Sequence, residues 1–245
     1  MKITTILMCS GLLITATAFG RYTTINDASY GSESSLYEVL DIVAPVSGGW
    51  TSTAGLNTNV NGLRVSDDAD QFCDSGSYKV TVLTTFWGGT AAPGDTGEQY
   101  VRYGAPDGTG STNLTAVDEP GDTGSFQSSG TSFVIGDGGG TFGAWSIEAL
   151  NSGPITDRAV TFDVSGLDVY AWTAGDKNNP VTSLLSSPFN HSKYIMAFET
   201  GSDGDYQDML VLIEGARIVP APGAMMLGCC GVFIVSWFRQ RHFIK

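Results

Sequence analysis

Short runs of β-branched and aromatic residues, separated by glycine-rich stretches, place the strongest constraint on how this chain can fold. The runs begin near Tyr78 and recur as far as Ile218. Polar and apolar residues alternate within 79–82, 160–164 and 167–170. Alternation with a period of two residues is typical of strands that have one buried and one wet face. The pattern predicts an all-β fold with an antiparallel β-sandwich or jelly-roll-like body.

The stretches between these runs are rich in Gly, Pro, Asp and Ser, and glycine accounts for 32 of the 245 residues. Because such residues tolerate or pre-set turn geometry, segments such as 88–98 and 118–130 are predicted to be loops. The segment before Tyr78 is less regular, and 35–43 fits either a short helix or a strand. No repeat of fixed period and no linker divides 19–217, so we expect one domain there.

The body is strongly acidic. Residues 19–217 contain all 25 acidic residues of the chain but eight of its 12 basic ones, which gives this segment a net charge of −17. A field of that sign repels phosphate backbones and anionic lipid headgroups. Nucleic acid is therefore excluded as an expected partner, and divalent cations are favoured.

Both ends of the chain differ from the body. Residues 1–18 combine Lys2, an apolar stretch and Ala16-Thr17-Ala18, which predicts a signal peptide cut after Ala18. Its expected partners are the Sec translocon and signal peptidase.

Near the other end, 221–238 contains no charged residue. As a helix it would be about 27 Å long, close to the hydrocarbon thickness of a bilayer. This predicts a single C-terminal transmembrane helix.

The segment 218–245 resembles the PEP-CTERM protein-sorting signal. The resemblance rests on the Pro-x-Pro motif, the apolar stretch after it and a basic end, although Ala221 stands where the family pattern has Glu. The sorting motif comprises Val219, Pro220, Ala221, Pro222 and Gly223, and the basic stop comprises Arg239, Arg241 and Lys245. Positive charge beside a membrane span stays in the cytoplasm, so the body is expected outside.

The resemblance implies export, transient anchoring in the inner membrane and cleavage near the Pro-x-Pro motif by an exosortase-type membrane transpeptidase. The product is then expected in the cell envelope or extracellular matrix, where exopolysaccharide is a candidate partner. We accordingly predict a structural or adhesive surface protein. The alternative is a secreted carbohydrate-binding or carbohydrate-active protein that carries the same sorting tail.

The densest acidic stretch, 198–215, lies between two strand-like runs. Hard cations such as Ca²⁺ prefer several carboxylate oxygens at once. The stretch also resembles an F-E-D … D-x-D-Y-N-D motif found near the C-terminus of PEP-CTERM and other bacterial surface proteins, with Gln207 in place of the Asn. Two interpretations remain open, a solvated acidic turn or a Ca²⁺ site whose candidate ligands are Glu199, Asp203, Asp205 and Asp208.

No catalytic constellation is recognisable, so we do not expect an enzyme. The body has one histidine, His191, and no Gly-x-Ser-x-Gly motif accompanies it. Two carboxylates on predicted strands, Glu148 and Glu199, keep glycoside hydrolysis open as an alternative. Exposed tryptophans would favour glycan binding, whereas buried tryptophans would belong to the core; Trp50, Trp87, Trp145 and Trp172 are the candidates.

Overall fold

The structure is a computed structural model, and it describes residues 22, 24–28, 33–65, 72–73, 77–86, 101–104, 112–113, 120–127, 134–137, 159–187, 192–199 and 204–218. All of them belong to one unit, Gly20–Ala221. The helices are α1 (Leu36–Val43) and α2 (Thr53–Asn57). The strands are β1 (Phe72–Cys73), β2 (Ser77–Thr85), β3 (Val101–Gly104), β4 (Thr112–Asn113), β5 (Thr123–Gln127), β6 (Val134–Asp137), β7 (Ala159–Asp163), β8 (Tyr170–Ala174), β9 (Val181–Leu184), β10 (Lys193–Phe198), β11 (Met209–Glu214) and β12 (Arg217–Ile218).

A five-stranded sheet is the largest element of this part of the chain. Its strand order is β5-β2-β11-β10-β7, and every neighbouring pair is antiparallel. Three smaller antiparallel groups, β4-β3-β6, β8-β9 and β1-β12, complete the described strands. The prediction of an all-β fold with antiparallel sheets is confirmed. The predicted loop 118–130 is wrong in part, because β5 lies within it and pairs along the edge of β2 through backbone hydrogen bonds.

Both faces of this sheet are buried, so the prediction of one wet face is wrong for its central strands. All six residues of β11 are buried. One face joins a cluster that includes Phe162, Ile195 and Leu212, whereas the other includes Val80, Met196 and Val211. The polar positions of the alternation are often threonines, such as the buried Thr81 and Thr161. Threonine carries a methyl group and suits a pleated surface, which is why its presence did not indicate exposure.

The segment 35–43, which fitted either a helix or a strand in the sequence, forms helix α1. Leu36, Val39, Leu40 and Val43 are buried, and this spacing places them on one helical face. At the N-terminus, the Glu38 carboxylate accepts a hydrogen bond from the Ser35 N–H at 2.9 Å, which satisfies a donor that the first turn leaves open. The apolar face of the helix belongs to the same core cluster as Phe162 of the sheet.

The run 158–172 divides into two strands that belong to different sheets. Strand β7 ends at Asp163 and β8 begins at Tyr170. Between them, Gly166 has a φ of +84°, a conformation that favours glycine. Strand β8 then contributes Trp172, which is fully buried in the same core cluster as α1.

Some predictions concern residues outside the described part. The signal peptide at 1–18, the apolar stretch 221–238 and the basic stop at Arg239, Arg241 and Lys245 are among them. Among the residues that are described, no helix is both long enough and apolar enough to span a membrane.

Candidate functional site

The acidic turn connects β10 and β11, which are neighbouring strands of the large sheet. We define it as Glu199 together with residues 204–208, which lie between β10 and β11. Phe198 and Met209 face each other in the β10–β11 register, so the turn closes directly on the sheet. Gly204 has a φ of +77° and Tyr206 a φ of +59°. Both residues therefore lie in the left-handed region, which is uncommon for a residue other than glycine and occurs mainly in turns.

Three polar side chains of the acidic turn are buried. Glu199 is 5% exposed, whereas Asp205 and Gln207 are each 1% exposed. The Glu199 carboxylate accepts a hydrogen bond from the Tyr206 N–H at 3.3 Å, and the Gln207 amide nitrogen donates to the Asp205 carboxylate at 3.3 Å. Carboxylates are rarely buried without compensation because desolvation of the charge is costly. The interpretation of a fully solvated turn is therefore wrong for Glu199 and Asp205.

Of the four candidate Ca²⁺ ligands, the structure brings Glu199 and Asp205 into the buried part of the turn. Asp208 is half-buried, and its backbone carbonyl accepts a hydrogen bond from the Phe86 N–H at 2.7 Å, which fixes the turn to the end of β2. Asp203 lies outside the described residues. Across the described ranges, no group of three or more His, Cys, Asp or Glu side chains is arranged to hold a metal ion.

Gln207 is a site residue that the sequence did not indicate, since it appeared only as a departure from the motif. Its side-chain carbonyl oxygen is buried and has no hydrogen-bond partner in the described part of the chain. An amide oxygen is an ordinary ligand of Ca²⁺. The two buried carboxylates and the buried amide of the turn would each bind a metal ion through oxygen, and oxygen ligands suit a hard cation.

A short N-terminal segment, residues 24–28, contacts the acidic turn; we call it the N-terminal strap. The Asn26 N–H donates to the Gly204 carbonyl at 2.8 Å. The Asn57 side chain of α2 binds both backbone groups of Ile25, accepting from its N–H and donating to its carbonyl, each at 2.8 Å. Ile25 is 2% exposed and belongs to the same core cluster as Tyr206. The strap therefore links α2 to the turn.

The described tryptophans are core residues. Trp50 and Trp172 are 2% and 0% exposed. Trp50 packs edge-on against Phe162 at 5.3 Å between ring centroids, and Trp172 packs against Phe86 at the same distance. Each indole N–H donates to a backbone carbonyl, which satisfies its only polar group. Neither ring can stack on a sugar, and Trp87 and Trp145 lie outside the described residues.

A shallow cavity lies beside α2, lined by residues that include Trp50, Asn59, Arg64 and Phe162. A water-sized sphere can occupy only about 10 Å³ of it, which is roughly the space of one water molecule and far below the roughly 300–1,000 Å³ of typical small-molecule pockets. Asn59 is engaged in holding its own loop, because its side chain accepts from the Arg64 N–H at 2.8 Å and donates to the Arg64 carbonyl at 3.0 Å. This cavity is a feature of packing and does not form a candidate site.

The remaining candidates fall outside the described residues. They are the sorting motif Val219, Pro220, Ala221, Pro222 and Gly223, the histidine His191, and Glu148 of the predicted carboxylate pair.

No protein-family model and no curated protein matches the chain. Among solved structures, a Chromobacterium violaceum lectin in complex with α-methyl-fucoside aligns with 62% of this chain and 97% of the lectin chain, at 15% sequence identity and a TM-score of 0.27. At that TM-score the likeness supports no conclusion about the fold or the ligands of this protein.

Proposed function

We propose that this protein is an exported structural or adhesive component of a bacterial cell envelope or extracellular matrix. The observation that supports this most directly is the order of its segments: a signal-peptide pattern at 1–18, an acidic body, and then a Pro-x-Pro motif, an apolar stretch and a basic end. The body, 19–217, is in this proposal an antiparallel β-sandwich that works as a scaffold.

The proposed route determines the partners. The Sec translocon and signal peptidase act on the N-terminal segment, and an exosortase-type transpeptidase acts near Pro220 and Pro222. The body carries a net charge of −17, so its contacts with an anionic polymer would require bridging cations. Exopolysaccharide bridged by divalent ions is therefore the matrix partner we propose.

Processing is tested by intact-mass measurement on the protein recovered from the envelope and medium of a host that has an exosortase. We expect a species that begins at Phe19 and ends near Pro222. Replacement of both Pro220 and Pro222 by alanine should leave the C-terminal segment attached, whereas Pro180→Ala, in the β8–β9 connection, should be processed normally. Recovery of the uncut chain from the cytosol would overturn the proposal.

Calcium binding at the acidic turn is the second part of the proposal. It is supported by the burial of Glu199, Asp205 and Gln207, whose oxygens suit a hard cation. Extracellular Ca²⁺ modules bind with dissociation constants of about 0.1–1 mM, so CaCl₂ at about 5 mM should stabilise the folded state by about 1–2 kcal/mol. For a chain of this size, that corresponds to a rise in Tm of roughly 2–8 °C.

The calcium test compares thermal unfolding in CaCl₂, MgCl₂ and EGTA. Asp205→Asn and Glu199→Gln should abolish the Ca²⁺-dependent rise in Tm because each removes one anionic ligand. Asp168→Asn is the matched control, since Asp168 is an exposed carboxylate before β8. The metal proposal fails if the native protein shows the same Tm in CaCl₂ and EGTA.

A further inference from the structure

The N-terminal strap and the acidic turn share a backbone contact and a packed side-chain contact. Besides the bond from the Asn26 N–H to the Gly204 carbonyl, the Asn26 side chain lies against the Gly204 Cα: a Cβ built on Gly204 would come within 2.9 Å of the Asn26 amide nitrogen. Gly204 immediately precedes Asp205, one of the two buried carboxylates. The position of the strap therefore restricts the backbone that presents Asp205.

A hydrogen bond within the acidic turn also holds its backbone. The Tyr206 N–H donates to the Glu199 carboxylate at 3.3 Å, so the backbone that follows Gly204 contacts the second buried carboxylate as well. Gln207 adds a second observation, because its buried side-chain oxygen has no hydrogen-bond partner among the described residues while its amide nitrogen binds Asp205. The turn offers oxygens at fixed positions only as long as its backbone is held.

Helix α2 holds the strap at a place remote in sequence from the turn. Asn57 binds both backbone groups of Ile25, and the Thr53 hydroxyl donates to the Asp27 carboxylate. These contacts do not involve the residues of the acidic turn. A change at Asn57 can therefore alter the turn through the strap, without removal of any candidate ligand.

We propose that the N-terminal strap closes a Ca²⁺ site formed by Glu199, Asp205 and Gln207, so that strap docking and Ca²⁺ binding stabilise each other. This inference rests on the Ca²⁺ binding proposed above. A ligand that binds better to the docked state must increase its population, and the coupling is reciprocal. Docking of the strap should then raise the affinity for Ca²⁺ by the same factor by which bound Ca²⁺ raises the equilibrium constant for docking.

The first test measures Ca²⁺ affinity by calorimetry on the full chain in mild detergent. Asn57→Ala should weaken Ca²⁺ binding about fivefold or more, the lower range of known couplings between sites. Asn61→Ala is the matched control: it removes an asparagine from the same region whose side chain makes one exposed bond, to the Gly49 carbonyl at 3.5 Å. The control should retain the native affinity.

The second test needs no variant and uses hydrogen exchange on the native chain. The amides of Ile25 and Asn26 are the donors that hold the strap, so CaCl₂ should slow their exchange relative to EGTA, which remains decisive if Asn57→Ala fails to fold. Native affinity in Asn57→Ala, or unchanged exchange at Ile25 and Asn26 despite bound Ca²⁺, overturns the linkage and leaves Ca²⁺ binding intact. Absence of Ca²⁺ binding by the native chain overturns both.

Discussion

Replacement of Glu214 by methionine is expected to stabilise the protein, although it removes one member of an ion pair. Glu214 ends β11, and its side chain is completely buried. In the register of the sheet, Lys79 and Lys193 flank it on the two neighbouring strands. The Lys193 ammonium donates to the Leu167 carbonyl. The Lys79 nitrogen lies 3.7 Å from the carboxylate, and its side chain is 31% exposed.

The expected change in the free energy of unfolding follows from the surroundings of each side chain of the pair. Both carboxylate oxygens of Glu214 are buried without a hydrogen-bond partner in the described part of the chain, and burial of a charge costs several kcal/mol that one distant ion pair does not fully offset. Without Glu214, Lys79 can extend its ammonium into water. We expect Glu214→Met to raise the free energy of unfolding by about 1–3 kcal/mol, and Lys79→Met to lower it by about 3 kcal/mol because the buried charge is left alone.

Equilibrium urea unfolding of both variants and of the double variant measures these free energies and the coupling between the two side chains. The double variant should be at least as stable as the native protein, because it replaces the pair with apolar groups. The reasoning is refuted if Glu214→Met lowers the free energy of unfolding, since the buried carboxylate would then be net stabilising, or if Lys79→Met leaves it unchanged, since Lys79 would then not compensate that charge.

Two further comparisons test the fold. Gly175→Ala should destabilise the protein by more than about 2 kcal/mol, because φ is +80° and the new Cβ would lie 2.2 Å from the Asn179 carbonyl oxygen. Gly166→Ala, at a φ of +84° with open space, should cost about 1 kcal/mol. Equal losses in urea unfolding would contradict the close backbone approach within the β8–β9 connection. Leu212→Ala, in the buried centre of the sheet, should lower the free energy of unfolding by about 2–5 kcal/mol. Leu184→Ala, at a side chain that is 57% exposed, should change it by less than about 0.5 kcal/mol. A large loss at Leu184 would show that β9 is covered in solution.

The sequence was sufficient to predict the local conformation wherever the periodicity of the side chains matches the secondary structure that the backbone forms. The runs at 79–82 and 160–164 lie almost entirely in strands β2 and β7, and the apolar spacing of 36, 39, 40 and 43 becomes intelligible once the segment is known to be a helix. The same rule failed for β5, whose glycine and polar residues are typical of a loop. Its strand conformation depends on a pairing edge supplied by β2, and no local pattern records that edge.

The sequence by itself determined that the chain is all-β, acidic in its body and apolar at both ends, because composition and period are properties of neighbouring residues. The tertiary structure alone decided which polar groups are buried. Gln207 and Glu214 look like solvated residues in the sequence, yet one lies inside the acidic turn and the other in the sheet. Burial depends on elements that are distant along the chain, such as the N-terminal strap and β2, and their contacts arise only when the core assembles.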